Sequence, residues 1–478
     1  MANNRIRNLV SIRSLPGLYE MRRGDRTSAM VMLLSWLLPI VMIIYSWQAF
    51  LTGWHALVTV PILIVTNFEA LTRLWSPEIM EHAVASLAAS GWIIGVFYWY
   101  HKKRLITQQR TSASPWRLAG QAFRRNGFAM CFLCILMVLV LMAIFAPWYA
   151  PYDPNAQQDI VVTKYIKPMH SVTALRLKRN DIVPPRPSAQ NFSEYWTATL
   201  QSINQQFRQT EEPLLFVDEW HLQGNEVFYT QGIQKKKLDI SNLIGTEPII
   251  FLTQRMYWLG SDRFGRDILS RLIYGTRISL AIGMLAMVMA VALGTLVGTI
   301  AGYFGHRIDG IMMRGVDIMM AFPNLFLILM IVALFGNSVL LMIAVLGLTG
   351  WMGVSRIVRS QVLVLRNSEF ITAARALGYS HARIMRVHII PNTLAPVVVA
   401  ATLRLGAIIL VEAGLSFLGV GVQPPTASWG NMVSDGRDAL LHAWWISTFP
   451  GLAIVLTVMS FNIVGDGVRD ALDPKLRA

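Results

Sequence analysis

The stretch Glu369–Pro391, EFITAARALGYSHARIMRVHIIP, decides how the rest of the chain is read. It lies between apolar runs near 338–358 and 393–415, each long enough for a bilayer crossing, which takes about 20 residues. Across this segment and its approach, Arg356, Arg359, Arg366, Arg375, Arg383 and Arg386 stand against one acid, Glu369. An excess of arginine so close to apolar spans places a loop in the cytoplasm. Its ends are too near the bilayer for it to be a separate domain. Phe370–Leu377 reads as a short helix that Gly378 can terminate, followed by a second helical stretch. A cytoplasmic partner is expected to grip this loop.

The composition around the loop fits a polytopic membrane protein. Of 478 residues, 54% are hydrophobic and 14% charged, and the mean hydropathy is +0.46. The formal net charge of +15 is concentrated beside apolar runs, in a 1–28 terminus and a 102–126 linker. Membrane topology and anionic lipid explain that pattern, whereas nucleic acid does not, because no basic patch is interleaved with stacking aromatics. Cys131 and Cys134 form a CxxC spacing inside an apolar run. With no second pair and no nearby histidine, they read as small lipid- or helix-facing residues, not as a metal or redox site. The terminus is polar and basic to Thr27 and precedes a run too long for a signal-peptide core, so a retained signal anchor is expected.

Membrane-length runs occur near 29–50, 83–101, 127–149, 278–301, 312–335, 338–358, 393–415 and 445–465. The weaker run Ala56–Thr66, which contains Pro61, reads as interfacial or re-entrant. Residues 67–82 carry Glu69, Glu78 and Glu81 against Arg73 and suit an outside loop. Eight spans result; nine with an outside amino terminus is the alternative. The expected organisation is an extra transmembrane region at 29–101, the basic linker, and a first core span at 127–149. An external segment at 150–275 follows, then five further core spans within 276–465 that include the loop 366–391, and a cytoplasmic tail at 466–478.

Within the external segment, residues 160–255 mix strand-like pieces such as Glu226–Thr230 with Pro, Asn and Lys, and Gly224-Asn225 is a hairpin cue. A small, mainly β insertion is expected there. The sequon Asn191-Phe192-Ser193 is expected to be incidental if the source is bacterial. The span from 278 carries Ala286, Ala290, Gly294, Gly298 and Gly302 at every fourth position. Such a stripe admits close backbone approach, by an internal neighbour or by a partner subunit.

The Gly378 loop resembles the EAA loop of ABC-importer permeases: Thr372-Ala373-Ala374-Arg375-Ala376-Leu377-Gly378, ending at Ile390-Pro391. Thr372 occupies the position of the motif's glutamate, and Glu369 lies three residues too early to replace it. Trp258-Leu259-Gly260-Ser261-Asp262-Arg263-Phe264-Gly265-Arg266-Asp267 is similar to the LGTDxxGRD segment of oligopeptide and dipeptide permeases. Leu415 to Pro425, with Ser428-Trp429-Gly430, is similar to the SFLGxGxxPP…WG segment of their C-type subunit, and Gly465–Pro474 is similarly characteristic. The resemblance covers about 120–160 and 257–478, leaving out the first two spans and the 160–255 insertion.

The resemblance implies an all-α polytopic fold, a type I importer core of six helices with N-terminal extra spans and the insertion. It implies that Glu369, Thr372, Ala373, Ala374, Arg375, Ala376, Gly378 and Pro391 belong to a coupling element seated on an ABC ATPase. The alanines favour helix and keep the surface slim, and Pro391 starts the next span where its missing N–H costs little. No GxxxxGK[ST] phosphate loop is present, so ATP and Mg are expected on separate ATPase subunits and no cofactor or metal on this chain. Gly260, Asp262, Gly265, Arg266, Asp267 and Trp429 are expected at the outer surface meeting a substrate-binding protein; ordinary gate-loop structure, or interfacial anchoring by Trp258 and Trp429, is the alternative.

Charges inside spans are costly and mark function by default. Asp317 precedes Pro323, which can kink its helix and shape the pathway. Arg404 and Glu412, eight apart on one span, either line the route or pair with another helix.

The sequence therefore reads as a non-catalytic C-type permease subunit of a peptide ABC importer in the bacterial inner membrane. Its expected partners are a homologous B-type permease, two ABC ATPases, an extracytoplasmic binding protein and lipid. Import of nickel complexes or other small solutes is the nearest alternative. A secondary transporter would need inverted repeats, and no second copy of the six-span pattern is evident. A sensor or scaffold is the third reading.

Overall fold

The computed structural model describes residues 16, 21, 26–66, 71, 76–107, 115–178, 192–210 and 213–472. Most of the basic terminus before Arg26, Glu69 and Arg73, residues 108–114 of the basic linker, Asn191 of the sequon, and the tail from Asp473 lie outside the described residues.

Helices α1 (Arg26–Tyr45) and α2 (Trp47–Thr66) correct the expected division of the first apolar region. The run Ala56–Thr66 is not a re-entrant fragment but part of α2. The helical ladder passes through the junction: Ser46 N donates to Met42 O and Phe50 N to Ser46 O, both at 2.9 Å. Pro39 and Pro61 lie inside these helices, where each removes one donor without ending the helix. Both helices pack along α3 (Pro77–Thr107). Trp92 Nε1 donates to Ser35 O at 2.8 Å, Ser86 Oγ donates to Phe50 O at 3.1 Å, and Ile79 packs with Val60 and Leu63.

Further helices include α4 (Pro115–Arg125), α5 (Gly127–Ile144), α6 (Phe192–Thr210), α7 (Ile268–Phe304), α8 (His306–Ala321) and α9 (Asn324–Phe335). They continue with α10 (Val339–Leu365), α11 (Glu369–Ala376), α12 (His381–Ile384), α13 (Ile390–Phe417), α14 (Trp429–Asp435) and α15 (Trp445–Leu472). Seven helices among the described residues are long and apolar enough to cross a membrane, or eight when α8 and α9, bent by 78°, count as one span. That set includes α2 and leaves out α1, whose apolar part, Ala29–Tyr45, is shorter, so the expected span at 29–50 is redistributed. Three boundaries also move: α3 continues past 101 to Thr107, α15 past 465 to Leu472, and the insertion's last strand past 255 to Tyr257.

The six-helix core comprises α5, α7, the α8–α9 pair, α10, α13 and α15. Phe132, Leu136, Leu280, Leu405, Ile409 and Ile454 join four of these helices in one apolar cluster. The small-residue stripe resolves to an internal seam. A Cβ added at Gly294 would fall 2.6 Å from Val354 Cβ, and one at Gly302 would fall 2.8 Å from Val362 Cβ. Helix α10, not a partner subunit, occupies that face of α7.

The insertion holds two three-stranded antiparallel sheets. One places β1 (His170–Arg176) between β2 (Leu214–Val217) and β6 (Leu252–Tyr257); the other places β4 (Glu226–Gln231) between β3 (Glu219–Gln223) and β5 (Gln234–Asp239). Gly224-Asn225 forms the tight turn between β3 and β4, with Gly224 at φ +64°. The insertion also contains α6, which the strand-like pattern did not signal. Leu200 and Ile203 of α6 are buried against Ala56 and Leu63 of α2 and Ile79 of α3. The two regions outside the resemblance thus pack on each other.

Candidate coupling loop and outer gate

The loop between α10 and α13 is rooted in the bundle by one face of α11. Ile371 and Ala374, three apart on that helix, are buried with Tyr303 of α7, Val358 and Val362 of α10, and Ile389 and Val397. The opposite face, with Thr372, Ala373, Arg375 and Ala376, is exposed, as are Glu369, Gly378 and Pro391. Ala374 therefore serves the root of the loop and not its accessible surface. Gly378 has φ +78°, a conformation that L side chains adopt only at a cost, and it closes α11 as Gly378 N donates to Arg375 O at 2.9 Å. Ser380 then caps α12, and five residues of π-helix, Met385–Ile389, lead into α13 with Pro391 in its first turn.

Polar contacts fix the same root. Arg359 Nη2 donates to Asp309 Oδ2 at 2.6 Å, Arg366 Nη1 donates to Gly302 O at 3.3 Å, and Tyr303 Oη lies 2.8 Å from His381 Nδ1. The Arg375 guanidinium sits 5.2 Å from the Tyr303 ring centroid. Several arginines that marked the loop as basic are therefore anchors. Thr372 turns its hydroxyl back on its own helix, donating to Ser368 O at 3.2 Å.

The outer motif is built differently. Asp262 Oδ1 accepts from Phe264 N at 2.8 Å and Arg266 N at 3.0 Å, while its Oδ2 accepts from Arg266 Nε at 2.6 Å. Arg266 reaches on to Asp435 Oδ2 at 3.1 Å, and Arg263 to Asp435 Oδ1 at 3.2 Å. Gly260 and Gly265, at φ +84° and +75°, let the segment turn tightly enough for these bonds. Asp267 caps α7 by accepting from both N and Oγ of Ser270, each at 2.7 Å. Burial pushes the Asp267 carboxyl above the usual carboxylate range, against the pull of those bonds. Trp429 is fully buried, donating from Nε1 to Leu272 O at 3.1 Å.

This corrects the expected docking role. Gly260, Asp262, Gly265, Arg266, Asp267 and Trp429 are all buried within this chain, so their side chains present no surface to a binding protein. They form a clasp that ties the start of α7 to α14. Trp258 and Arg263 are the exposed members of that stretch, and Leu440, Leu441 and Trp444, just before α15, are exposed apolar residues. Asp435 completes the clasp; its only sequence signal was a place six residues after Trp429.

The pathway candidates separate. Asp317 pairs with Arg356 of α10, with both side chains about half exposed. Pro323 lies at the 78° bend between α8 and α9. Glu412 is buried and accepts from Ser416 Oγ at 2.9 Å. Arg404 borders a cavity of about 80 Å³ with Asn324 and Thr349. Arg404 and Glu412 share a helix but not a contact.

A family model described as "Binding-protein-dependent transport system inner membrane component" matches residues 294–478. Another, "N-terminal TM domain of oligopeptide transport permease C", matches residues 114–168. The chain is similar to the "Dipeptide transport system permease protein DppC" of Alkalihalophilus pseudofirmus, 47% identical over 222 residues that cover 46% of this chain and 73% of that protein. It is similar to the "Di/tripeptide transport system permease protein DppC" of Pseudomonas aeruginosa, 33% identical over 365 residues covering 76% and 93% respectively. It is also similar to the "Oligopeptide transport system permease protein OppC" of Bacillus subtilis, 44% identical over 221 residues covering 46% and 72%.

Proposed function

Because this chain belongs to the family of binding-protein-dependent transport system inner membrane components, we propose that it is the C-type permease of a peptide importer powered by separate ATPases. A homologous B-type permease completes the pathway, an extracytoplasmic binding protein delivers cargo, and two ABC ATPases bind ATP and Mg in the cytoplasm. This chain is the non-catalytic membrane component, resident in the bacterial inner membrane. The peptide permeases among its relatives support peptide as the cargo.

The observation that carries the coupling role is the two-faced α11. One face, Ile371 and Ala374, is fused to α7, α10 and α13; the other, Thr372, Ala373, Arg375 and Ala376, is exposed and slim. A push on the exposed face reaches three membrane helices through packed side chains, which transmit displacement because packed interiors yield little. The outer clasp keeps the far end of α7 in register with α14 during that motion.

The test is reconstitution of both permeases and both ATPases in liposomes with the binding protein, following ATP hydrolysis and peptide uptake together. Wild type should couple the two. Gly378→Val, which forces a β-branched residue into φ +78°, should insert and assemble yet lose roughly tenfold or more in uptake per ATP hydrolysed. Normal coupled uptake in that variant would remove the loop from the mechanism. Uptake of nickel complexes in place of peptides would overturn the cargo.

A further inference from the structure

Arg404 is the one basic residue on α13, and its surroundings point to a ligand. Among the described residues no carboxylate pairs with Arg404, and its Nε is shut away from solvent with no hydrogen-bond partner. Glu412, the only acid on α13, lies about 12 Å further along at 1.5 Å per residue and is already bonded to Ser416. The guanidinium lies across α10 at Gly350, where an added Cβ would come within 3.2 Å of Nη2. One edge of it is therefore packed against α10 of its own chain, while the residue as a whole is half-buried. An ionised side chain kept in a span without a counter-charge calls for a functional explanation.

The pocket beside it, about 80 Å³ and open on one side, is lined by Ile328 of α9, Leu346 of α10 and Ile408 of α13, with Asn324 and Thr349 as its other polar residues. Thr349 donates its hydroxyl proton to Val345 O at 2.9 Å, which leaves Arg404 and Asn324 as the lining residues with side-chain donors to offer. Asn324 stands directly after the 78° bend that interrupts the α8–α9 span. The volume holds two or three water-sized groups, enough for a carboxylate. A guanidinium fork matches a carboxylate in two parallel hydrogen bonds.

Given peptide as the cargo, on which this site depends, we propose that Arg404, with Asn324 beside it, receives the peptide's terminal carboxylate on its way through the membrane. That group is common to every linear peptide whatever its side chains, so one cationic fork gives contact without sequence selection. A single fork with water nearby also releases its ligand readily, as conduction requires.

The test uses the full complex in liposomes with trialanine and trialanine amide, each saturating the binding protein so that its own preference cancels. Wild type should transport the acid faster than the amide. In Arg404→Gln the acid-to-amide ratio should fall about tenfold, the loss expected for hydrogen bonds to a charged group, and in Arg404→Lys it should be intermediate. A wild-type ratio near one, or equal slowing of both peptides in Arg404→Gln, would overturn the carboxylate site and make Arg404 a packing residue. If Arg404→Gln does not assemble, the Arg404→Lys ratio decides, and a value unchanged from wild type counts against the site. Failure of wild type to move either peptide would instead sink the peptide reading, and this proposal with it.

Discussion

At the loop between α10 and α13, Thr372, Ala373, Ala376 and Gly378 lie on the surface; at the opposite end of the bundle, Asp262, Arg266, Asp267 and Trp429 are sealed inside. Both groups come from motifs of the same family resemblance, yet only the first leaves its groups available to another protein. The loop is basic on the outside and apolar at the root, so its chemistry faces two ways. The outer motif satisfies its charges internally, through Asp262, Arg266 and Asp435. A recurring motif can therefore encode a contact surface or an internal fastening, and burial decides which.

The largest expected effect comes from breaking the fastening. Arg266→Ala removes the nearest cation from two carboxylates, one of them 1% exposed, and leaves them Arg271 at 3.8 and 3.7 Å; breaking a buried ion pair by one partner costs about 3–5 kcal/mol. Thermal denaturation of the purified complex should show a marked loss of stability, and the yield of assembled complex should fall. A change below about 1 kcal/mol, the range of surface pairs, would mean that the clasp is solvated and the contrast between the two ends is false.

The smallest effect is expected at the loop surface. Thr372→Glu restores the acid that the family motif carries. Because Thr372 is exposed and its hydroxyl bonds to Ser368 O of its own helix, stability should move by no more than about 0.5 kcal/mol. Affinity for the ATPase subunits, measured by titration into the detergent-solubilised permease pair, should rise by less than tenfold. Loss of binding would mean that the threonine makes a specific contact of its own, which sharpens the description of the surface.

Features set by local pattern were legible in the sequence. The α11 helix and its stop at Gly378, the Gly224-Asn225 turn and the bend at Pro323 follow from propensity and turn chemistry over a few residues. The stripe from Ala286 to Gly302 declared a close helix contact but not its occupant, because packing partners are chosen by tertiary structure. Long-range features were not legible. Arg266 and Asp435 meet across 169 residues, and nothing in either segment signals the other. Asp262 and Arg266 looked like surface groups because charged residues seldom bury unless paired, and the pair was invisible. At Ser46 the opposite error arose: Pro61 suggested an interruption, whereas the ladder continues through both helices with neighbours supplied by α3 and α6.

If the exposed face of α11 seats an ATPase while its other face belongs to the bundle, cross-linking within the assembled complex must distinguish the two. Single-cysteine variants Ala376→Cys and Ala374→Cys, in a background with Cys131→Ala and Cys134→Ala, make that measurement. Ala376→Cys should cross-link to an ATPase subunit, with a yield that changes when ATP is bound, and Ala374→Cys should give none. Cross-linking from Ala374→Cys, or none from Ala376→Cys in a complex that still hydrolyses ATP, would contradict the account.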